Sequence, residues 1–349
     1  MNTTDRGKPD RRIKVLVVDD SLLFRETLAR RMGEDRGIVV VGTASDVFSA
    51  RDMILDLEPD VMTLDVEMPK MNGIEFLRRL MPQYPLPVVV VSAANERVFD
   101  ALDAGAVDFV RKPDGSARGM EAFAGELIVK IKIASMAKVG QRKREYNQDP
   151  VNSVGGGSRD VVVAIGASTG GTEAIYEVVR GFPRDMPGVV IVQHMPPVFT
   201  RMYANRLNDN CRMEAKEAEN GDSILPGRIL VAPGDCQMRV RRRGNLYTVE
   251  CFQGPKVNGH CPSVDVLFDS VADTVGAKAV GIILTGMGYD GAKGLMKMRR
   301  SGAYTVGQDE ESSVVYGMPK VAYDIGAVVR QSPLRNISQV VCSAVSGSR

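Results

Sequence analysis

From Lys14 the chain alternates short β-branched runs with amphipathic stretches: KVLVVDD then SLLFRETLARRM, VVVGTAS then VFSARDMILDL, VMTLDV then GIEFLRRLM, PVVVVSA then ERVFDALDAG, and VDFVRKP then a helical stretch from about Met120. Five such repeats within about 120 residues predict a doubly wound parallel sheet, because parallel strands need crossover helices and those helices cover both faces. The first domain spans residues 12–135 on this reading. After Ala137 the pattern fails. KVGQRKREYNQDPVNSVGGGSR is polar, carries Pro150 and a run of glycines from Gly155 to Gly157, and predicts a flexible linker over residues 136–158. Alternation resumes at Asp160 with VVVAIGAS, VVIVQHM, ILVAPG, AVGIILTG, AYTVGQD and AVVRQS. TEAIYEVVRGF, SVDVLFDSVADTV and GAKGLMKMRRSG are the helical candidates between them, and QMRVRRR with NLYTVEC reads as a hairpin turning at Gly244. Residues 159–346 are thus expected to form a second α/β domain, with a mostly parallel sheet and an inserted antiparallel hairpin.

Composition narrows the function only a little. With 44% hydrophobic and 25% charged residues this is ordinary globular usage, and a net charge of +2 gives no global attraction to nucleic acid or to an anionic membrane. Five cysteines, odd in number and without a C-x-x-C pair, suit reduced thiols. MNTTDRGKPDRR lacks the apolar core of a signal peptide, and no apolar run is long enough to cross a bilayer. The expected location is cytoplasmic, without membrane insertion.

The predicted strand ends hold the chemistry. In the first half they carry Asp19 and Asp20, Asp65, Ser92, and Lys112 followed by Pro113. Ligands of doubly wound sheets sit outside the carboxyl ends of the strands, so these side chains should converge, and three carboxylates suit a hard octahedral Mg²⁺. In the second half GASTGG follows the apolar run VVVAI. The spacing is wrong for G-x-G-x-x-G, and the next strand ends in Gln193 and His194 rather than an acidic residue, so a dinucleotide cradle loses support. Read as G-x-S-x-G, the stretch puts Ser168 on a sharp strand-to-helix turn as a nucleophile. A serine needs a base, and the chain has two histidines, His194 just after a strand and His260 in PKVNGHCPSVD. Asp290, in LTGMGYDGAKG, also follows an apolar strand and suits the orienting carboxylate. The rival reading of these positions is unrelated polar loop residues; the order Ser, His, Asp departs from that of α/β-hydrolases. A Cys261/His260 nucleophile pair is a further alternative, disfavoured because adjacent loop residues rarely face each other.

Residues 13 to about 135 resemble the response-regulator receiver family through Asp19-Asp20, DVEMPKMNG from Asp65, Ser92 and Lys112-Pro113. The resemblance implies a flavodoxin-like fold in which Asp65 accepts a phosphoryl group from a histidine kinase. Asp19, Asp20 and Asp65 would hold Mg²⁺, Ser92 and Lys112 would contact the phosphoryl oxygens, and Phe109 would be the switch aromatic. With AIGASTGGTEAI, VIVQHMPP, HCPSVDVLF and ILTGMGYDGA, the whole chain resembles the chemotaxis protein-glutamate methylesterases, the CheB-type response regulators. That implies Ser168 as nucleophile, His194 as general base and acid, and Asp290 as orienting carboxylate. Thr169 and Met287 would line the site, and the N–H groups after Ser168, those of Thr169 and Gly170, would hold the oxyanion. It implies hydrolysis of glutamyl methyl esters and deamidation of glutamines on methyl-accepting chemoreceptors, without a cofactor in this half and under control of Asp65 phosphorylation. Cys261 stands where the family often has a basic residue. A transcription factor is the commonest fate of a receiver, but the second half shows no helix-turn-helix signature or basic recognition stripe. An adaptor without catalysis would not need all three residues of the triad.

Overall fold

The β-α repeats of the first half fold as their pattern requires. The computed structural model describes residues 11–69, 71–93, 97–113, 116–140, 153–155 and 159–347. Two compact units, Met1–Lys143 and Arg144–Arg349, divide the chain.

The first unit runs β1 (Ile13–Val18), α1 (Leu22–Gly33), β2 (Ile38–Ala44), α2 (Val47–Leu57), β3 (Val61–Asp65), α3 (Gly73–Leu80), β4 (Val88–Ser92), α4 (Arg97–Asp103), β5 (Asp108–Arg111) and α5 (Ala117–Ala134). Its five strands are parallel in the order β2-β1-β3-β4-β5. The order reverses between β1 and β3, so their carboxyl ends flank the crevice where such sheets bind ligands. β3 and β4 are buried along their whole length, which is why VMTLD and VVVVS read as continuous apolar runs rather than alternations. Short polar residues cap the starts of helices. Asp46 accepts from the N–H groups of Phe48 and Ser49, and Asn72 from that of Glu75, caps worth about 1 kcal/mol each.

The second unit runs β6 (Val162–Ala167), α6 (Gly171–Arg180), β7 (Gly188–Gln193), α7 (Phe199–Asn210), β8 (Glu214–Glu217), β9 (Arg228–Val231), β10 (Gln237–Arg243), β11 (Leu246–Phe252), α8 (Val264–Thr274), β12 (Ala279–Ile283), α9 (Ala292–Arg300), β13 (Tyr304–Gln308), α10 (Met318–Asp324), β14 (Arg330–Ser332) and α11 (Leu334–Val345). Seven strands form one sheet in the order β14-β13-β12-β6-β7-β9-β8, parallel at every pairing. The hairpin β10-β11 forms a separate antiparallel sheet. β6, β7 and β12 are fully buried, and Val264, Leu267, Phe268 and Val271 of α8 have no exposed surface against them. Removing the Phe268 ring would cost about 3–5 kcal/mol. Strand order reverses at β6, which has β7 on one side and β12 on the other, so Ser168, His194 and Asp290 all follow strands at this switch point.

Sequence periodicity missed the edge strand β8. Three of its four residues, EAKE, are charged because an edge strand faces solvent and resists pairing with other chains, while Ala215 is buried. Of the segment expected to be a linker, 141–152 and 156–158 lie outside the described residues. Ser153 Oγ and the Val154 N–H both donate to the Asp185 carboxylate, which ties this short piece to the second unit. Among the described residues no helix is long and apolar enough to cross a membrane.

Candidate active site

The turn after β6 is held from three directions. Ser168 N–H donates to Thr285 O at 3.0 Å, Gly171 N–H donates to Ser168 O at 2.7 Å, and Gln193 Nε2 donates to the same carbonyl at 2.9 Å. Gly170 has φ +74°, the left-handed region in which a side chain is strained, and its position just before α6 lets the chain bend sharply from strand to helix. Gly286, at the end of the β12 run, must be glycine for space. A Cβ there would lie 2.7 Å from Ser168 Cβ and 2.5 Å from Met318 Sδ. Ser168 itself is half-buried, Thr169 is buried, and Met287 next to Gly286 is exposed.

His194 is the neighbour of Ser168 across the β6-β7 ladder. Ala167 pairs with Gln193, and His194 N–H donates to Ala167 O at 3.2 Å, so Ser168 and His194 follow strand ends in register. The imidazole is buried and its Nε2 lies 2.9 Å from Asp290 Oδ2. Its Nδ1 is buried without a hydrogen-bond partner. No hydrogen bond joins Ser168 to the ring in this conformation, and Nδ1 is the nitrogen left for it. Chymotrypsin-like proteases use the ring the other way round, with Nδ1 on the carboxylate.

Asp290 is caged. Besides His194 it accepts from Val264 N–H at 2.7 Å on Oδ2, and on Oδ1 from Ser263 Oγ at 2.8 Å, Asn258 Nδ2 at 2.8 Å and Asp265 N–H at 3.3 Å. Burial alone would raise its carboxyl. The hydrogen bonds from His194, Asn258 and Ser263, with the attraction of His194, outweigh burial and hold the group well below the usual carboxylate range. Asp290 therefore stays ionised and oriented. Asn258 also donates to Asp265 Oδ2 at 2.7 Å, a buried carboxyl that burial raises above its ordinary value. His260 completes the surroundings: its ring stacks on that of His194, centroids 3.6 Å apart and planes 8° apart. Burial and the neighbouring His194, opposed by Asp290, lower its pKa to about 4, so at neutral pH it is an uncharged plate against the His194 ring.

The strand ends of the first unit assemble a second site. Oxygens of Asp19, Asp20 and Asp65 lie within 4.8 Å of one another. Lys112 Nζ donates to Asp65 Oδ2 at 2.6 Å and lies 2.9 Å from Asp19 Oδ2. Burial works against the Lys112 charge, but Asp65 and Asp19 hold its pKa above the usual lysine range. Burial raises the Asp65 carboxyl, against the hydrogen bonds from Lys112 and Glu67 N–H that lower it. Ser92 Oγ is fully buried with no partner, a donor waiting at the end of β4. Three hard oxygen donors of one charge sign fit Mg²⁺, and the free Ser92 hydroxyl with the Lys112 ammonium fits an added phosphoryl group. Phe109 is buried on β5 with the Lys130 ammonium 5.3 Å from its ring centroid.

Residues 163–341 match the profile of the CheB methylesterase family, and residues 15–124 match that of the response regulator receiver domain. The chain belongs to the CheB methylesterase family. A protein-glutamate methylesterase/protein-glutamine glutaminase of Syntrophomonas wolfei is 62% identical over 96% of this chain and 98% of its own length. One from Syntrophotalea carbinolica is 55% identical over 90% and 93% respectively. The crystal structure of the Thermotoga maritima CheB methylesterase catalytic domain matches 53% of this chain and 98% of its own, with 34% identity and a TM-score of 0.52. This CheB-family chain thus couples a methylesterase domain to an N-terminal receiver.

Sequence reasoning singled out Ser168, His194 and Asp290, and the fold puts all three at neighbouring strand ends of one sheet edge. It passed over the residues that hold them. Asn258, Ser263 and the backbone of Val264 and Asp265 lie in or just after a loop with no apolar period, and Gln193 is a polar residue ending an apolar strand. The one local signal was Gln193 itself: a glutamine that closes a fully buried strand needs hydrogen-bond partners.

Proposed function

We propose that this chain hydrolyses glutamyl methyl esters on chemoreceptors, and deamidates glutamines by the same route, with a rate set by phosphorylation of Asp65. The caged Asp290–His194 pair beside the Ser168 turn is the observation that carries this reading. Rotation about the Ser168 Cα–Cβ bond brings Oγ toward His194 Nδ1, a tightening that substrate-free enzymes often require. Oγ then attacks the γ-carbonyl while Nδ1 takes its proton. Asp290 stabilises the imidazolium through Nε2 without taking the proton. The negative oxygen of the tetrahedral intermediate lies against N–H groups after Ser168, where each strong donor contributes about 3–4 kcal/mol. His194 returns the proton to the departing methoxy group, methanol leaves, and an ester bond to Ser168 remains. Water attacks that ester with His194 again as base, giving glutamate and free Ser168. A glutamine side chain follows the same sequence and releases ammonia.

In the receiver, Asp19, Asp20 and Asp65 would hold Mg²⁺, which when bound supplies neutralisation of phosphoryl charge. Asp65 accepts the group from a histidine kinase, Lys112 follows it onto the phosphoryl oxygens, and Ser92 Oγ donates to one of them. The domains are residues 12–135 and 159–346, the joining segment is 136–158, and the setting is the cytoplasm. The test is methanol release from methylated receptor membranes, with and without a small-molecule phosphodonor. Wild type should be stimulated by the phosphodonor, and Ser168→Ala should lose release in both conditions. Full release by Ser168→Ala ends the serine mechanism.

A further inference from the structure

Two buried polar side chains outside the triad, one at or just past the end of each strand flanking β6, hold successive carbonyls of the nucleophile turn. Gln193, at the end of β7 and 4% exposed, donates through Nε2 to Ser168 O at 2.9 Å and reaches His194 O at 3.3 Å. Thr285, just after β12 and with no exposed surface, donates through Oγ1 to Thr169 O at 3.0 Å. Val315 O is also in reach of that hydroxyl at 3.2 Å, and Val315 N–H donates back to it at 2.9 Å. A peptide unit is planar and trans, so fixing a carbonyl fixes the next N–H in the opposite direction. Gln193 therefore sets the Thr169 N–H and Thr285 sets the Gly170 N–H, each aimed away from the buried side chain that grips its carbonyl.

We propose that Gln193 and Thr285 are positioning residues that pre-aim the oxyanion donors of this site, resting on the reading of Ser168 as an acyl-transfer nucleophile. Neither touches the substrate. Gln193 suits this role: two carbonyls, those of Ser168 and His194, lie on its donor side, while its Oε1 is buried without a partner. An unpaired buried acceptor is costly, and turning the amide over would set its oxygen against both carbonyls. The nearest alternative, that the pair merely fastens β7 and β12 to β6, predicts lost stability without a selective loss of transition-state binding.

The experiment uses the full chain and three readouts: phosphonylation by a fluorophosphonate probe, kcat and KM for methanol release, and the pH profile of kcat. In phosphonylation Oγ bonds to phosphorus, fluoride leaves, the proton passes to His194, and the phosphoryl oxygen occupies the oxyanion position. Gln193→Met and Thr285→Val should each slow phosphonylation and kcat about 10- to 100-fold, with KM and the acid limb of the profile unmoved. Thr285→Ser, which keeps the hydroxyl, should recover to near wild type. Rates within twofold of wild type for both variants overturn the proposal, as does a loss accompanied by a shifted acid limb, which would place the effect in His194. If Gln193→Met does not fold, the Thr285→Val and Thr285→Ser pair decides alone. Ser168→Ala serves as the separate control: labelling that persists there refutes the nucleophile, whatever the other variants do.

Discussion

Two glycines two residues apart in the loop after β12 should answer very differently to the same methyl group. At Gly286 an added Cβ meets Ser168 Cβ at 2.7 Å and Ser168 N at 3.0 Å, besides the thioether of Met318. Ordinary carbon contacts sit at about 3.5–4.0 Å, so the overlap with Ser168 Cβ is on the order of 1 Å. Met318 can swing its thioether aside, but Ser168 and its backbone cannot yield without leaving their place. A displacement of that size costs about 100-fold in rate, and the overpacking costs about 1–3 kcal/mol of stability. At Gly288 nothing lies within 4 Å, but φ is +87°. Alanine there is strained by about 1–2 kcal/mol without touching the serine. Gly286→Ala should therefore drop kcat for methanol release about 100-fold with a modest loss in thermal midpoint. Gly288→Ala should show a comparable midpoint loss and a rate within a few-fold of wild type. Equal rates for the two variants would refute the steric argument, since both glycines lie in one loop and only at Gly286 does the methyl meet Ser168.

Other perturbations have defined outcomes. His260 is lowered from 6.5 to about 4, so the unfolded chain binds the proton first as pH falls. Its contribution is intact above pH 6.5 and is lost between there and about pH 4, by about 1–2 kcal/mol after discounting for partial solvent access. Urea unfolding at pH 7.5 and 4.5 should show a steeper loss in wild type than in His260→Gln, and parallel losses would contradict the burial argument. Asp290→Asn puts an amide N–H against either Val264 N–H and His194 Nε2 or against Asn258 and Ser263; kcat should fall about 10⁴-fold, and a tenfold loss would show that the carboxylate is not needed. Chelating divalent cations should abolish Asp65 phosphorylation by a small phosphodonor and leave the esterase rate of the unphosphorylated chain unchanged; radiolabelled phosphoryl uptake that persists in chelator would remove the three-carboxylate site from the mechanism.

Periodicity and strand-end chemistry were enough to read two successive α/β folds, to weigh against a dinucleotide cradle, and to single out Ser168, His194, Asp290 and the aspartate cluster. The reason is physical: buried parallel strands read as apolar runs, and the first polar residue after each run lies at the edge where such sheets do chemistry. The same logic could not find β8, whose EAKE pattern answers to solvent at the sheet edge rather than to the core. Strand-end position already favoured His194 over the loop residue His260, but only the fold shows that the β6-β7 ladder sets His194 beside Ser168 and that the His260 ring stacks upon it. The cage around Asp290 comes from residues 25 to 32 positions away in the chain, and only closure of the fold brings those donors to one carboxylate. Local sequence thus decides which residues end strands. Which of them meet, which ring nitrogen faces which partner, and which carbonyls the buried Gln193 amide grips are fixed by strand order and by packing at the sheet edge, conditions that exist only once the sheet has formed.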